Sequence, residues 1–204
     1  WIALNPFAPP VSGDVSADMR FGWDQKNLNG EGTVTLDDFT YDRQRVGSFV
    51  VGVDVTTNKS GTIRASASLM VDSVKTITAV GNLNDSTAVN PFMLDFSMIR
   101  FPLGIVNPFL PAGTARMSGM LNGQMAVTGD LSSPVFNGFV EFDSAAVKVD
   151  MLGATFGFSQ DSVPVRDNVV TFEKFAVKGV NDNTLTIDGT VDMRSLANPK
   201  INLG

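Results

Sequence analysis

This chain of 204 residues contains no histidine and no cysteine. Without histidine there is no Ser-His-Asp triad and no imidazole ligand for a metal. Without cysteine there is no disulfide framework and no thiolate site. Glutamate is nearly missing as well, with only Glu31, Glu141 and Glu173 present. Carboxylate chemistry needs a pair facing one cleft, and these three are far apart in the sequence. Glu141 shares parity with Asp143, opposite Val140 and Phe142, so it is expected to face water. The aspartates fall in turns and on polar strand positions, their ordinary use. Neither Asp37-Asp38 nor the run around Asp182 has calcium-loop spacing. The expectation is a noncatalytic protein with no cofactor and no metal.

Charge is sparse too. Charged residues make up 18% of the chain and the net charge is −6, with no basic run. Phosphate backbones would repel such a surface, so nucleic acid is not an expected partner. The hydrophobic share of 43% is too high for a disordered chain. No stretch approaches 18 uncharged apolar residues, so no membrane-spanning helix is expected in this segment. The sequence starts at Trp1, with neither an initiator Met nor a basic n-region, and reads as an excised piece of a longer protein.

What the chain does have is alternation. Leu185, Ile187, Val191 and Met193 share one parity with Gly189, while Thr186, Asp188, Thr190 and Asp192 share the other. That period of two marks a strand with one dry face and one wet face. The same pattern runs through Phe49–Val55, Ile63–Val71, Phe92–Met98, Leu121–Val127 and Ala145–Met151. It returns at Phe156/Phe158, Val163/Val165, Val170/Phe172 and Phe175/Val177. About 12 to 16 strands are expected at ordinary strand and turn lengths. Turns are expected at Asn29-Gly30, Asn122-Gly123, Asn137-Gly138, Gly129-Asp130 and Asn181-Asp182-Asn183, and breaks at the four Asn-Pro steps. The run FPLGIVNPFLPA from Phe101 to Ala112 does not alternate. It reads as a Pro-rich crossover loop, with a helical turn or an apolar plug left open, and marks a possible sub-boundary near 101–113 in a single 1–204 segment.

The aromatic balance bears on what the dry face meets. Fifteen Phe stand against two Trp and one Tyr. Sugar platforms favour Trp and Tyr, whose rings carry a polar handle. Phe and the nine Met suit a dry, adaptable interior. On composition, packing in a closed sandwich explains such stripes at least as well as a ligand groove.

The stretch LGIVNPFLPAGTARMSGMLNGQMAVTGDLSSPVFNGFVEF, from Leu103 to Phe142, resembles the TamB branch of the AsmA-like proteins, the translocation-and-assembly-module family. The matching positions are Ser118, Gly119, Leu121, Gly123, Met125, Val127, Gly129, Leu131, Pro134, Phe136 and Gly138. VKVDMLGATFGF, DNVVTFEKFAV and LTIDGTVDMRSLANPKINL look like the strands that follow in that family, so the likeness covers the second half of the chain. It implies an all-β curled sheet, a β-taco or open roll, with an apolar interior groove. It also implies a periplasmic body in a diderm bacterium, anchored in the inner membrane outside this segment. The implied role is phospholipid transport between the two membranes. The implied partners are acyl chains, an outer-membrane barrel and neighbouring segments of the same chain. The residues expected to line the groove are Leu94, Phe96, Met98, Met125, Val127, Val140, Phe142, Val147, Val149, Phe156, Phe158, Phe172, Leu185, Ile187 and Val191. The alternatives are a scaffold that pairs outer-membrane strands at its open edges and a carbohydrate-binding sandwich.

Overall fold

The computed structural model describes residues 10–24, 27–57, 61–83, 92–130, 133–179, 183–195 and 198–204. The chain runs as an antiparallel meander in which each strand pairs with the next, apart from β9 and β10. Its strands are β1 (Val11–Asp24), β2 (Asn27–Tyr41), β3 (Gln44–Thr57), β4 (Ile63–Val71), β5 (Val74–Leu83), β6 (Phe92–Pro102), β7 (Ala115–Asp130) and β8 (Ser133–Val149). They continue as β9 (Ala154–Phe158), β10 (Ser162–Arg166), β11 (Val169–Lys178), β12 (Thr184–Asp192) and β13 (Lys200–Leu203). All thirteen belong to one sheet, with β1 and β13 at its edges. β9 and β10 are two halves of one interrupted strand: both pair with the same edge of β8 and both are flanked by β11. The sheet is antiparallel throughout its described pairings, in keeping with the expected all-β curled sheet.

Because paired residues in neighbouring strands share a face, the register shows how far one face extends. Met19, Gly32, Val53, Ala67, Ala79, Phe96, Met125, Gly138, Val165, Val170, Val191 and Ile201 form one continuous row across the sheet. Every member is apolar or glycine. Asp18, Thr33, Gly52, Ser68, Thr78, Ser97 and Gln124 form the row behind it, on the opposite face.

The turns are not where the Asn-Gly pairs suggested. Asn29-Gly30, Asn122-Gly123 and Asn137-Gly138 all lie inside strands β2, β7 and β8. Two of these glycines are there for close packing. A Cβ on Gly138 would run into the Gln124 carbonyl, and one on Gly123 would run into that of Phe139. Gly129-Asp130 ends β7 as expected, and residues 181–182 lie outside the described residues. Three tight hairpins use aspartate instead: Asp42-Arg43, Asp72-Ser73 and Asp167-Asn168. Both central residues of each have φ between 46° and 66°, the type I′ geometry that matches strand twist. Asp72 also explains its own presence. Its carboxylate accepts the Ser48 N–H at 2.9 Å and the Arg45 guanidinium at 2.7 Å, tying that hairpin to β3.

Bulges bend the sheet by a recurring device. Asp38, Arg100 and Lys174 sit at positive φ in register shifts of β2, β6 and β11. The N–H of each is caught by a side chain of the next strand: Ser48 Oγ at 3.0 Å, Asn122 Oδ1 at 2.7 Å and Asp188 Oδ1 at 2.8 Å. The 101–112 segment is a 3₁₀ helix, Leu103–Phe109, and not a crossover loop. Its Asn107 side chain pairs with the edge of β7, donating to the Met117 carbonyl and accepting the Met117 N–H. Leu103 and Pro108 are buried, and Phe109 stacks on Tyr41 with ring centroids 4.7 Å apart. The helix thus reaches from β7 back to β3, strands that three others separate, and the sheet curls around it. β6 and β7 pair directly, so the sheet continues unbroken past this segment.

Candidate functional site

The candidate site is the apolar face. All fifteen residues expected to line a groove lie on it by register. Leu94 pairs Val127, Phe96 pairs Met125, and Met98 shares Gly123 with Val140. Phe142 pairs Leu121, Val147 pairs Phe156, and Val149 pairs Ala154. Phe158 and Leu185 both pair Val177, while Phe172, Ile187 and Val191 face Gly189, Phe175 and Val170.

Sharing a face does not mean sharing an environment. Toward the C-terminal edge the face is shut by its own side chains. Val163, Phe175 and Val177 are buried, with Val140, Phe142, Phe156, Phe158, Phe172 and Ile187 packed against them. Phe175 meets Phe142 and Phe172 edge to face, at centroid distances of 5.7 and 5.5 Å. Such pairs add about 0.5–1.5 kcal/mol beyond simple burial. Leu185 lies beyond this cluster, on β12, and is exposed.

Toward the N-terminal edge the same face is open. Val15, Met19, Phe21 and Trp23 all project from β1 into solvent, Phe21 at 74% and Trp23 at 75% exposure. Val51 and Val53 of β3 are also exposed. A depression of about 360 Å³ lies here, lined by Met19, Phe21, Val34, Val51, Val53 and Val55 together with Gly30, Gly32 and Glu31. None of these residues was among the expected lining set. The signal was present, since Val15, Ala17, Met19, Phe21 and Trp23 alternate perfectly.

The opposite face carries a larger depression, about 640 Å³, whose walls include Asp18, Arg20, Glu31, Asp54, Ser66, Ser68, Lys75 and Thr78. Arg20 bridges Glu31 at 3.2 Å and Asp18 at 3.6 Å, with all three side chains well exposed. Ion pairs in this setting contribute little. Among the described residues, no cluster of three or more acidic, His or Cys side chains has the geometry to hold a metal, and no helix is long and apolar enough to cross a membrane. Two carboxylates are held below their ordinary range. Asp192 is brought to about 2 by the Arg194 guanidinium and backbone N–H. Asp72 is lowered by the hydrogen bond from Arg45 and then by that from the Ser48 N–H. Both tie backbone to neighbouring structure and lie away from the apolar depression. Compared with protein-family models, curated proteins and solved structures, the chain finds no match.

Proposed function

We propose that this chain is a noncatalytic, lipid-handling segment of a periplasmic protein of the TamB/AsmA-like type, and that its apolar face carries acyl chains between membranes. The observation that carries the reading is the unbroken apolar row from Met19 to Ile201. A face of this extent, without one polar handle in the row, suits a ligand that is itself long and featureless. The open stretch over β1–β3 is where an acyl chain lies on Met19, Phe21, Val51 and Val53. Each methylene buried there contributes about 0.8 kcal/mol. The phenylalanine cluster of β8–β11 is packing that holds the curl, not groove. The likeness of residues 103–142 to the TamB branch supports the same reading. A sugar platform finds less support: Trp23 follows Phe21 in the apolar alternation of the edge strand β1, and the Tyr41 ring lies against Phe109.

Native mass spectrometry of the mildly extracted chain tests this reading. Co-purifying phospholipid, and uptake of a fluorescent fatty acid after delipidation, are expected. A delipidated, folded chain that takes up neither fatty acid nor phospholipid contradicts it.

A further inference from the structure

The two halves of the sheet are built alike, residue for residue, in a way that the sequence alone hides. β1 and β2 pair Ser12 with Thr40, then shift at Gly13, then pair Asp14 with Asp37, Val15 with Leu36, Ala17 with Val34 and Met19 with Gly32. β7 and β8 pair Ser118 with Ala146, shift at Gly119, then pair Met120 with Asp143, Leu121 with Phe142, Gly123 with Val140 and Met125 with Gly138. Every member of the second set stands 106 positions after its counterpart, as Gly119 does after Gly13. The bulge itself is reproduced. Gly13 and Gly119 both have positive φ, and each lies against the backbone of a left-handed residue's neighbourhood in the next strand, where Asp38 has φ 47° and Ser144 φ 51°.

The far ends of the halves also correspond. Gly81 of β5 lies flat against Met93 and Leu94 of β6, leaving no room for a Cβ; Gly189 of β12 lies in the same way against Asn202 and Leu203 of β13. An Asn-Pro step precedes each partner strand, Asn90-Pro91 and Asn198-Pro199. At the start of each half stands one more shared signature, Asn-Pro-Phe-x-Pro, at 5–9 and at 107–111. Residues 5–9 lie outside the described residues; the likeness there is one of sequence. Counting β9 and β10 as one strand, each half holds six strands among the described residues. The β6–β7 contact is therefore the junction between two copies of one unit.

We infer that the outer edge of β1 is an acceptor for a strand of the β6 type, supplied by a further copy of this unit. β1 is the counterpart of β7, and the β7 edge shows what such a strand receives. β6 lies on it with Leu94 opposite Val127, Phe96 opposite Met125, Met98 opposite Gly123 and Phe101 opposite Leu121. The β1 counterparts of those acceptors are Phe21, Met19, Ala17 and Val15. All fourteen residues of β1 are exposed, and among the described residues only its β2 side is paired. A row of free N–H and C=O groups beside an exposed apolar face accepts an added strand. The incoming strand places one apolar residue against Phe21 and the next against Met19, so the apolar row continues into the added unit without a step. The inference concerns the sheet edge and holds whether or not lipid occupies the face.

A peptide reproducing residues 92–112 serves as the probe, added to the chain of residues 1–204. Hydrogen exchange is read strand by strand. The outward amides of β1 are expected to slow by about tenfold or more on peptide addition, with β13 unchanged. A peptide carrying Phe96→Asp and Met98→Asp is expected to give no protection. In the protein, Met19→Asp is expected to remove the protection and Asp18→Ser, on the opposite face, to keep it. β1 exchange that does not respond to the peptide overturns the inference, as does equal protection by the substituted peptide. Protection of β1 already present without peptide, rising with protein concentration and lost when residues 200–204 are deleted, supports the inference, with β13 of a second chain, the counterpart of β6, as the strand supplied.

Discussion

Phe142 of β8 meets Phe158 of β9 edge to face, with ring centroids 5.3 Å apart and planes at 67°. Both also touch the ring of Phe175, which is 5% exposed. These contacts join strands on either side of the interrupted β9–β10 strand and close the apolar face there. Phe21 presents the same residue type on the same face and touches no other ring among the described contacts. One face thus holds a packed part and an open part.

That division gives opposite outcomes for one substitution. Phe158→Asp places a carboxylate beside Phe142 and Phe175 with no partner, at a cost of several kcal/mol, and the chain is expected to lose its cooperative melt. Phe21→Asp puts the same group on a residue that is 74% exposed, and its effect on stability is expected to stay within about 1 kcal/mol. Thermal melting of the two variants beside the parent reads the difference. Equal destabilisation would contradict the division.

The strand glycines give a second contrast. Gly138→Ala drives a methyl group into the Gln124 carbonyl and the Met125 Cα, and a loss of about 1–3 kcal/mol is expected, as for other overpacked sites. Gly157 of β9 has nothing within 4 Å of its would-be Cβ. Gly157→Ala is expected to be neutral or to gain about 0.4–1 kcal/mol from reduced freedom of the unfolded chain. Urea titration of both variants measures the sign.

Acid sensitivity follows from the two paired aspartates. Asp192 titrates near 2 in the folded chain and Asp72 below its ordinary 3.8, so both bind protons more weakly folded than unfolded. Their contribution is therefore present above pH 3.8 and is lost as pH falls toward 2. Both groups are solvent-accessible, so the contribution is small and shrinks with added salt. Between pH 4 and pH 2, Asp192→Asn is expected to lose less stability than the parent. Denaturant midpoints at pH 5, 3 and 2 check this; parallel declines for parent and variant would contradict it.

Much of the fold was legible because parity survives tertiary structure. Leu94, Phe96, Met98, Phe156 and Phe158 alternate in sequence and share a face in the sheet. The hairpins were not legible, because Asp42-Arg43 and Asp72-Ser73 carry no glycine to advertise their positive φ. Their cost is met by side-chain bonds to distant residues, such as Asp72 to Ser48, that no local window contains. The Asn-Gly pairs misled for the converse reason. Gly138 answers a neighbouring strand, and the Asn137 side chain accepts the Asp167 N–H at 3.0 Å from across the sheet. The site was legible as a face but not as a place. Met19, Phe21 and Trp23 follow the same pattern as Phe156 and Phe158, and only the strands that cover them, or fail to, tell open from closed.

The central claim is that acyl chains lie on the open apolar face over β1–β3. Photo-crosslinking places it under direct test, with a photoreactive residue at Val53 on that face or at Ser68 on the opposite one, and phospholipid vesicles as the donor. Lipid adducts at position 53 and none at position 68, with the position-53 signal lost in Phe21→Asp, are the expected result. Adducts at position 68 alone, or at neither position in a folded chain, would contradict it.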